Sequence, residues 1–244
     1  MQQVNPHDII FIDIETVSAY AGFAEMPEAW QHNWEEKIKH LLTPEISAAD
    51  FYEQRAGVMA EFSKIVCISM GYLMREEHLK IRVKSFYGHQ ESDILKSFLE
   101  TMRKIEQNSR SWHFGGHNIK EFDIPFICRR LLANGFVIPD FLDFQNMKPW
   151  ETNIVDSFQY WKFGDYKNFT SLKLLAAVLN IPSPKEDMDG SKVGGVYWKE
   201  NDLERIASYC QKDVVTVANV FLRFNDLPLL HDDDVELVVE KGSA

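Results

Sequence analysis

The stretch IIFIDIETVS, residues 9–18, is an apolar run interrupted by carboxylates at two alternate positions, Asp13 and Glu15. Continuous aliphatic and aromatic residues are typical of a central strand that is covered on both faces of its sheet. Side chains of a strand alternate between the two faces, so Asp13 and Glu15 emerge on the same face. Two adjacent anions repel each other unless a cation lies between them. The stretch therefore predicts a central strand over residues 8–14 that contributes to a divalent-cation site.

The elements that follow this strand occur in an order that is typical of a mixed sheet. Two apolar runs, 64–73 and 79–88, are separated by five residues, which indicates a hairpin-like connection. Short strands near 111–118 and 152–156 alternate with helices farther along the chain. The predicted helices after the hairpin are 91–107, 122–136, 170–180 and 201–224. This order predicts an α/β fold, with a mixed sheet of five strands and helices packed on its faces.

The chain shows no repeat and no Pro/Gly-rich linker that would divide it. A length of 244 residues is enough for one domain with a large core, and we expect that domain to span 1–228. Segment 18–60 carries two helical patterns between the first two strands, which predicts a helical insertion. Residues 229–244 include a run of aspartates, and we expect them to form an acidic, mobile C-terminal segment.

The composition is that of a soluble globular protein, with 45% hydrophobic and 26% charged residues. A net charge of −11 argues mildly against nucleic acid as a partner, although acids that bind metal ions lose this repulsive effect. The three cysteines are scattered and odd in number, which favours free thiols and a cytoplasmic protein. Apolar runs fall short of the roughly 20 residues that a spanning helix needs, so we expect no membrane association.

Three stretches carry polar residues in a pattern that suits a metal site. They contain Asp13, Glu15 and Thr16 in FIDIET, Asn118, Phe122 and Asp123 in HNIKEFDIPF, and Tyr209 and Asp213 in ASYCQKDVVTV. Residues four apart share one face of a helix, so Tyr209 and Asp213 point the same way. Each stretch alone has an ordinary structural explanation, such as a surface pair or an acid at a helix N-terminus. Together, they predict four carboxylates that converge at one edge of the sheet.

Four carboxylates at one place are unfavourable alone and favourable around divalent cations. Mg²⁺ prefers oxygen ligands, and two such ions about 3.5–4 Å apart can bridge a phosphodiester. Tyrosine has an ordinary pKa of about 10, so Tyr209 would be a poor base at neutral pH. Its hydroxyl is better suited to orienting a water molecule by a hydrogen bond.

In their order, the motifs D-x-E, N-x-x-x-F-D and Y-x-x-x-D resemble those of the DEDDy 3′–5′ exonucleases. That group has the RNase H-like fold and includes the proofreading domains of family-B DNA polymerases. The resemblance extends from about residue 8 to about residue 224 and is closest to free-standing predicted exonucleases related to those domains. It implies a three-layer RNase H-like fold with a mixed five-stranded sheet and two divalent cations, Mg²⁺ or Mn²⁺. We expect no polymerase domain alongside these motifs.

The resemblance also implies a role for each residue of the motifs. The metal ligands would be Asp13, Glu15, Asp123 and Asp213, the water-orienting residue would be Tyr209, and contacts to the 3′-terminal nucleotides would come from Thr16, Asn118 and Phe122. All five of the metal-binding and water-orienting residues are thus expected to be catalytic.

These roles describe a metal-dependent 3′–5′ exonuclease that hydrolyses phosphodiester bonds at the 3′ end of single-stranded nucleic acid and releases nucleoside 5′-monophosphates. We expect DNA rather than RNA, but an exoribonuclease remains an alternative because the sequence does not show whether the site accepts a 2′-hydroxyl. A non-catalytic nucleic-acid-binding module on the same fold is the second alternative. A protein partner that delivers the strand also stays open, because a negative net charge weakens unaided phosphate binding.

Overall fold

A computed structural model describes residues 4–75, 78–108, 112–148, 151–165, 167, 169–182 and 188–238. The strands are β1 (Ile9–Ser18), β2 (Ser63–Arg75), β3 (Leu79–Tyr87), β4 (His113–Gly116), β5 (Ile154–Asp156) and β6 (Val235–Val238). The helices are α1 (Glu28–Ile38), α2 (Ala48–Arg55), α3 (Glu91–Asn108), α4 (Asp123–Ala133), α5 (Ser157–Lys162), α6 (Leu172–Val178), the short turn α7 (Val193–Gly195) and α8 (Leu203–Phe224). A π-helical segment, Val196–Glu200, connects α7 to the region before α8.

The sheet has the strand order β5-β4-β1-β2-β3-β6, which places β1 at its centre. β1 is antiparallel to β2 and parallel to β4. β2 and β3 form the predicted antiparallel hairpin, and β4 is parallel to β5. The mixed α/β sheet predicted from the order of the elements is therefore confirmed.

The sheet contains six strands rather than the predicted five, because β6 adds a strand beside β3. Val235 to Val238 pair in parallel with Ile81 to Lys84, and Glu236 accepts a hydrogen bond from Arg82 at 2.9 Å. The four apolar and acidic residues of this strand follow a run of aspartates, so their sequence suggested a solvated tail. The expectation of a mobile segment is thus corrected for Val235–Val238, while residues 239–244 lie outside the described residues.

Both faces of the sheet are covered, because alternate residues of β1 enter two different cores. Ile10, Ile12 and Ile14 pack in a cluster with buried residues of α3 and α4. Ile9 and Phe11 belong to the opposite cluster, which includes the apolar side of α8. The expected layers of helix, sheet and helix are therefore present. Within the described ranges, every helix is too short or too polar to cross a bilayer.

The segment between β1 and β2 forms two helices that share a small aromatic core. Trp34 and Tyr52 are fully buried there, and their rings meet edge to face at 5.1 Å. The indole of Trp34 donates a hydrogen bond to the carbonyl of Ala48 at 2.9 Å. A buried aromatic pair with a satisfied N–H stabilises this insertion as a packed unit, and it lies directly after the end of β1.

Candidate active site

The carboxylates of Asp13 and Glu15 lie on the face of β1 that is turned toward α8. The neighbouring odd-numbered residues Ile9 and Phe11 pack against α8, so the period of two places Asp13 and Glu15 there as well. In the register with β2, Asp13 is opposite Ser69 and Glu15 is opposite Cys67. The pairing is irregular immediately after Glu15, because one extra residue lies on β2 between the partners of Glu15 and Thr16.

Asp123 lies beside the C-terminal part of β1, because β4 pairs only with the first residues of that strand. The pairing of β1 with β4 ends at Phe11 and Gly115, which leaves the main-chain N–H groups farther along this edge of β1 without a strand partner. The N–H of Ile14 donates instead to Oδ1 of Asp123 at 3.2 Å. Asp123 is the first residue of α4 and is only 4% exposed. At this position the first residue of α4, rather than a residue of β4, accepts the hydrogen bond from the main chain of β1.

The loop that leads into α4 is held by Asp156, a residue that the sequence analysis did not select. Oδ1 of Asp156 accepts hydrogen bonds from the N–H groups of Asn118 at 2.9 Å and Phe158 at 3.0 Å. Oδ2 accepts one from the N–H of Lys120 at 3.0 Å. Asp156 is 1% exposed and is the last residue of β5. Its position as an acid at the end of an apolar strand is the feature of the sequence that could have indicated this role. Asn118 has a left-handed backbone, with φ of 65°.

The five predicted catalytic residues form one electrostatic cluster. Burial, followed by the charges of Asp213 and Asp123, raises the pKa of Asp13 well above its ordinary value. Burial and then the charge of Asp13 raise the pKa of Glu15. Burial is the largest cause that raises the pKa of Tyr209. The charges of the neighbouring carboxylates raise it further, and Asp213 has the largest effect among them. Each shift reports an unfavourable charge that a cation would neutralise.

Burial raises the pKa of Asp123 to about 7. Its hydrogen bonds from main-chain N–H groups, including that of Ile14, act in the opposite direction. A carboxyl with this pKa is only partly ionised at neutral pH, and a bound cation would favour the ionised form. The carboxyl of Asp123 is therefore suited to binding a cation.

The donor groups of the cluster fit a divalent cation. Oδ2 of Asp13 is buried without a hydrogen-bond partner in the described part of the chain. One ligand atom each from Asp13, Glu15 and Cys210 lies within 4.8 Å of the other two. The carboxylates of Asp123 and Asp213 are outside this tightest group, although their charges act on Asp13. Unpartnered, buried carboxylate oxygens are the ligands that hard divalent cations prefer.

The three residues that were predicted to contact nucleotides differ in how far their side chains are already used in contacts within the protein. The hydroxyl of Thr16 donates to the carbonyl of Gly57 at 2.6 Å, so its proton is used inside the protein. Phe122 precedes α4 and packs on Phe126, with ring centroids 5.2 Å apart. Oδ1 of Asn118 is buried and has no hydrogen-bond partner among the described residues. Asn118 is therefore the residue of the three whose side chain has an unused polar group.

Two comparisons with known proteins bear on this site. A family model described as "Predicted 3'-5' exonuclease related to the exonuclease domain of PolB" matches residues 58–234. This range contains Asp123, Tyr209 and Asp213, whereas Asp13 and Glu15 precede it. No curated protein matches the chain.

The fold is similar to that of the family B DNA polymerase from the hyperthermophilic archaeon Pyrobaculum calidifontis. The TM-score is 0.52 at 16% sequence identity, and the match covers 88% of this chain and 24% of the polymerase chain. The chain thus spans about a quarter of the length of that polymerase. At this identity the likeness concerns the fold alone, and it confirms the predicted RNase H-like class.

Proposed function

The chain belongs to the family of predicted 3′–5′ exonucleases related to the exonuclease domain of PolB, and we propose that it is a metal-dependent 3′–5′ exonuclease. Its proposed substrate is the 3′ end of single-stranded DNA, from which it releases nucleoside 5′-monophosphates by a two-metal-ion mechanism. The observation that carries the proposal is the electrostatic cluster around Asp13, whose pKa is raised by burial and by Asp213 and Asp123. Such a cluster is costly to maintain without bound cations.

In this proposal the metal ligands are Asp13, Glu15, Asp123 and Asp213, which would hold Mg²⁺ or Mn²⁺. When bound, these cations would supply the positive charge and the Lewis acidity that phosphodiester hydrolysis requires. The protein's contribution is to fix the ligands on three separate elements, β1, α4 and α8. The hydrogen bond from Ile14 to Asp123 holds two of these elements together.

Tyr209 is proposed to orient the attacking water. Because its pKa is raised by burial and by Asp213, the phenol stays protonated at neutral pH and cannot act as a base. A side-chain hydrogen bond connects its hydroxyl to Asp213, four residues later on α8. This contact fixes the direction of the ring, so that the phenol oxygen can hold a water molecule near the carboxylates.

Substrate contacts are proposed at Asn118, Thr16 and Phe122. Asn118 has the strongest structural support, since its Oδ1 is unpartnered among the described residues and its main-chain N–H is fixed by Asp156. Thr16 donates its proton to Gly57, so its hydroxyl offers only acceptor lone pairs to a nucleotide. Phe122 would offer a ring surface at the start of α4.

The direct test uses 5′-labelled single-stranded DNA and RNA of the same sequence, each with Mg²⁺, Mn²⁺ or EDTA. We expect a metal-dependent ladder that shortens from the 3′ end on DNA and disappears in the double variant Asp13→Ala/Glu15→Ala. Removing two carboxylates relieves repulsion, so this control should fold, and a thermal melt verifies that it does. Mass spectrometry of the products should identify nucleoside 5′-monophosphates.

The other results would each favour a different function. Faster shortening of RNA would make the protein an exoribonuclease. Tight binding of the strand without cleavage under any metal would indicate a binding module. Activity that is retained in the double variant would exclude the proposed site. We also propose a reducing, cytoplasmic setting, because all three cysteines, Cys67, Cys128 and Cys210, are free thiols.

A further inference from the structure

The thiol of Cys210 lies next to the cluster of carboxylates. Cys210 follows Tyr209 on α8 and is fully buried. Its Sγ donates a hydrogen bond to the main-chain carbonyl of Asp13 at 3.4 Å. On β2, Cys67 is the register partner of Glu15 and is also fully buried. Two buried thiols therefore lie beside the proposed metal ligands, whereas Mg²⁺ binds through oxygen.

Cys210 belongs to the tightest group of ligand atoms near the site. Its Sγ and one carboxylate oxygen each from Asp13 and Glu15 all lie within 4.8 Å of one another. Ligand atoms lie about 2.0–2.3 Å from a zinc ion, so two ligands on opposite sides of the ion are about twice that distance apart. The separation within this group is close to that value. Binding one ion would therefore draw these three ligand atoms closer together and would release the thiol from the carbonyl of Asp13.

The two carboxylates of this group lie in a largely buried environment. Oδ2 of Asp13 is buried without a hydrogen bond in the described ranges. Glu15 is only 6% exposed, and burial followed by the charge of Asp13 raises the pKa of its carboxyl. A buried carboxylate without partners is strongly destabilising unless an ion occupies the space beside it. One oxygen of each carboxylate and the sulfur form one compact group of possible ligand atoms.

We propose that Asp13, Glu15 and Cys210 form a binding mode for a thiophilic divalent cation, Zn²⁺ or Cd²⁺, which competes with the oxygen-bound Mg²⁺ and inhibits the enzyme. Thiolate ligands select soft cations, and carboxylates alone favour hard ones. On binding, the thiol proton is released to solvent and the sulfur bonds to the metal. A fourth position is filled by water. Binding does not depend on the proposed function, and only the inhibition rests on it.

The test of binding uses Cd²⁺ alone, added to protein that has been stripped with EDTA and desalted. A bond between cadmium and a thiolate gives a charge-transfer band in the ultraviolet. We expect a band that saturates at one ion per chain in the wild-type protein and is lost in Cys210→Ser. The matched control is Cys128→Ser, since Cys128 is a thiol on α4 that also donates to a main-chain carbonyl. This control should keep the band.

A second variant keeps the thiol and removes a carboxylate. In Asp13→Asn, the apparent affinity for Cd²⁺ should fall at least about tenfold, as expected when a metal ligand loses its charge. This variant tests the site even if Cys210→Ser fails to fold, which circular dichroism and a thermal melt would reveal. A band that persists in folded Cys210→Ser, or an unchanged affinity in Asp13→Asn, overturns the proposal.

Inhibition is measured separately, with labelled single-stranded DNA and a fixed concentration of Mg²⁺. The Zn²⁺ concentration that halves the rate should be at least about tenfold higher for Cys210→Ser than for the wild type, each relative to its own uninhibited rate. Equal sensitivity would remove Cys210 from the inhibitory site. If DNA is never cleaved but the Cd²⁺ band behaves as expected, the proposed function fails while the soft-metal site stands. If cleavage occurs without the band, the function stands and the site is refuted.

Discussion

The phenol of Tyr209 is partly buried beside the carboxylates of Asp213 and Glu15. Because burial and the charge of Asp213 raise its pKa, it can hold a water molecule but cannot take a proton from it. We expect Tyr209→Phe to lower kcat about 10- to 100-fold, since a mispositioned reactant typically costs that much. Mg²⁺ affinity should change little. Single-turnover rates at saturating Mg²⁺, together with a Mg²⁺ titration, would measure both quantities.

The pH profile of the same variant gives an independent check. A neutral phenol predicts that the rate does not report the ionisation of Tyr209 anywhere in the working range of the enzyme. If the wild type instead showed an alkaline limb below pH 9 that Tyr209→Phe removed, the phenol would be acting as an acid or a base.

The carboxyl of Asp123 makes the stability of the metal-free protein depend on pH. Burial raises its folded-state pKa to about 7, above the ordinary value of about 4 for an unfolded chain. Between these values the folded state binds more protons, so the free energy of unfolding falls as pH rises from about 4 to about 7. We expect a loss on the order of a few kcal/mol, measured by urea denaturation in EDTA at several pH values.

Asp123→Asn is the variant that isolates this effect, because it keeps the shape and one acceptor oxygen for the N–H of Ile14. Its stability should vary less with pH than that of the wild type over the same window. Saturating Mg²⁺ should also flatten the wild-type profile, since the cation favours the ionised carboxylate. A wild-type protein whose metal-free stability rose steadily from pH 4 to pH 7 would contradict the assignment.

At the scale of elements, Asp156 determines where the loop before α4 runs. Its two oxygens accept three main-chain N–H groups, from Asn118, Lys120 and Phe158. Asp156→Ala leaves three donors unpaired and should destabilise the protein by about 2–4 kcal/mol. It should also lower kcat, because the loop leads directly to Asp123. Urea denaturation and steady-state kinetics would measure the two effects.

Asp156→Asn is the matched variant, since it retains one carbonyl oxygen as an acceptor. We expect it to lose less stability than Asp156→Ala, because Oδ1 can still accept from Asn118 and Phe158. If both variants had wild-type stability and kcat, the loop would be held by other contacts and Asp156 would have no positioning role.

The elements that the sequence predicted are those whose pattern is complete within a short stretch. β1, the hairpin of β2 and β3, and α8 each carry a clear apolar period, and their positions were predicted to within a few residues. Such local patterns also predicted the mixed sheet and, through the motifs, the RNase H-like class. β6 was missed because its identity as a strand depends on pairing with Ile81 to Lys84, more than a hundred residues away.

The same distinction applies within the site. Asp13, Glu15 and Asp213 were selected because their motifs have fixed spacing. The hydrogen bonds from Ile14 to Asp123 and from Thr16 to Gly57 join residues that are 109 and 41 positions apart. No local pattern predicts such pairs, so the role of Asp156 and the inward hydrogen bond of Thr16 emerged only from the folded chain.

At the scale of the whole molecule, a buried ion pair joins α3 to α4, the helix that carries Asp123, and its arginine also contacts the end of the helical insertion. Glu91 begins α3 and is 8% exposed, and Arg130 of α4 donates to both of its carboxylate oxygens, at 2.8 and 2.5 Å. The remaining terminal nitrogen of Arg130 donates to the carbonyl of Ala60 at 2.8 Å, next to β2. Glu91 also accepts from the N–H of Ile65 at 2.7 Å. Four parts of the chain therefore meet at one carboxylate and one guanidinium.

This junction gives the last prediction. Arg130→Met keeps the length of the side chain but leaves Glu91 buried without its cation, so the free energy of unfolding should fall by about 3–5 kcal/mol. The double variant Glu91→Gln/Arg130→Met should recover part of that loss, because no unpaired charge remains. Arg129→Met, at the exposed neighbouring position on α4, should stay within about 0.5 kcal/mol of the wild type. Urea denaturation of the four proteins measures these differences. Equal stabilities for Arg130→Met and Arg129→Met would mean that the ion pair adds nothing measurable and that other contacts hold α3, α4 and the end of the insertion together.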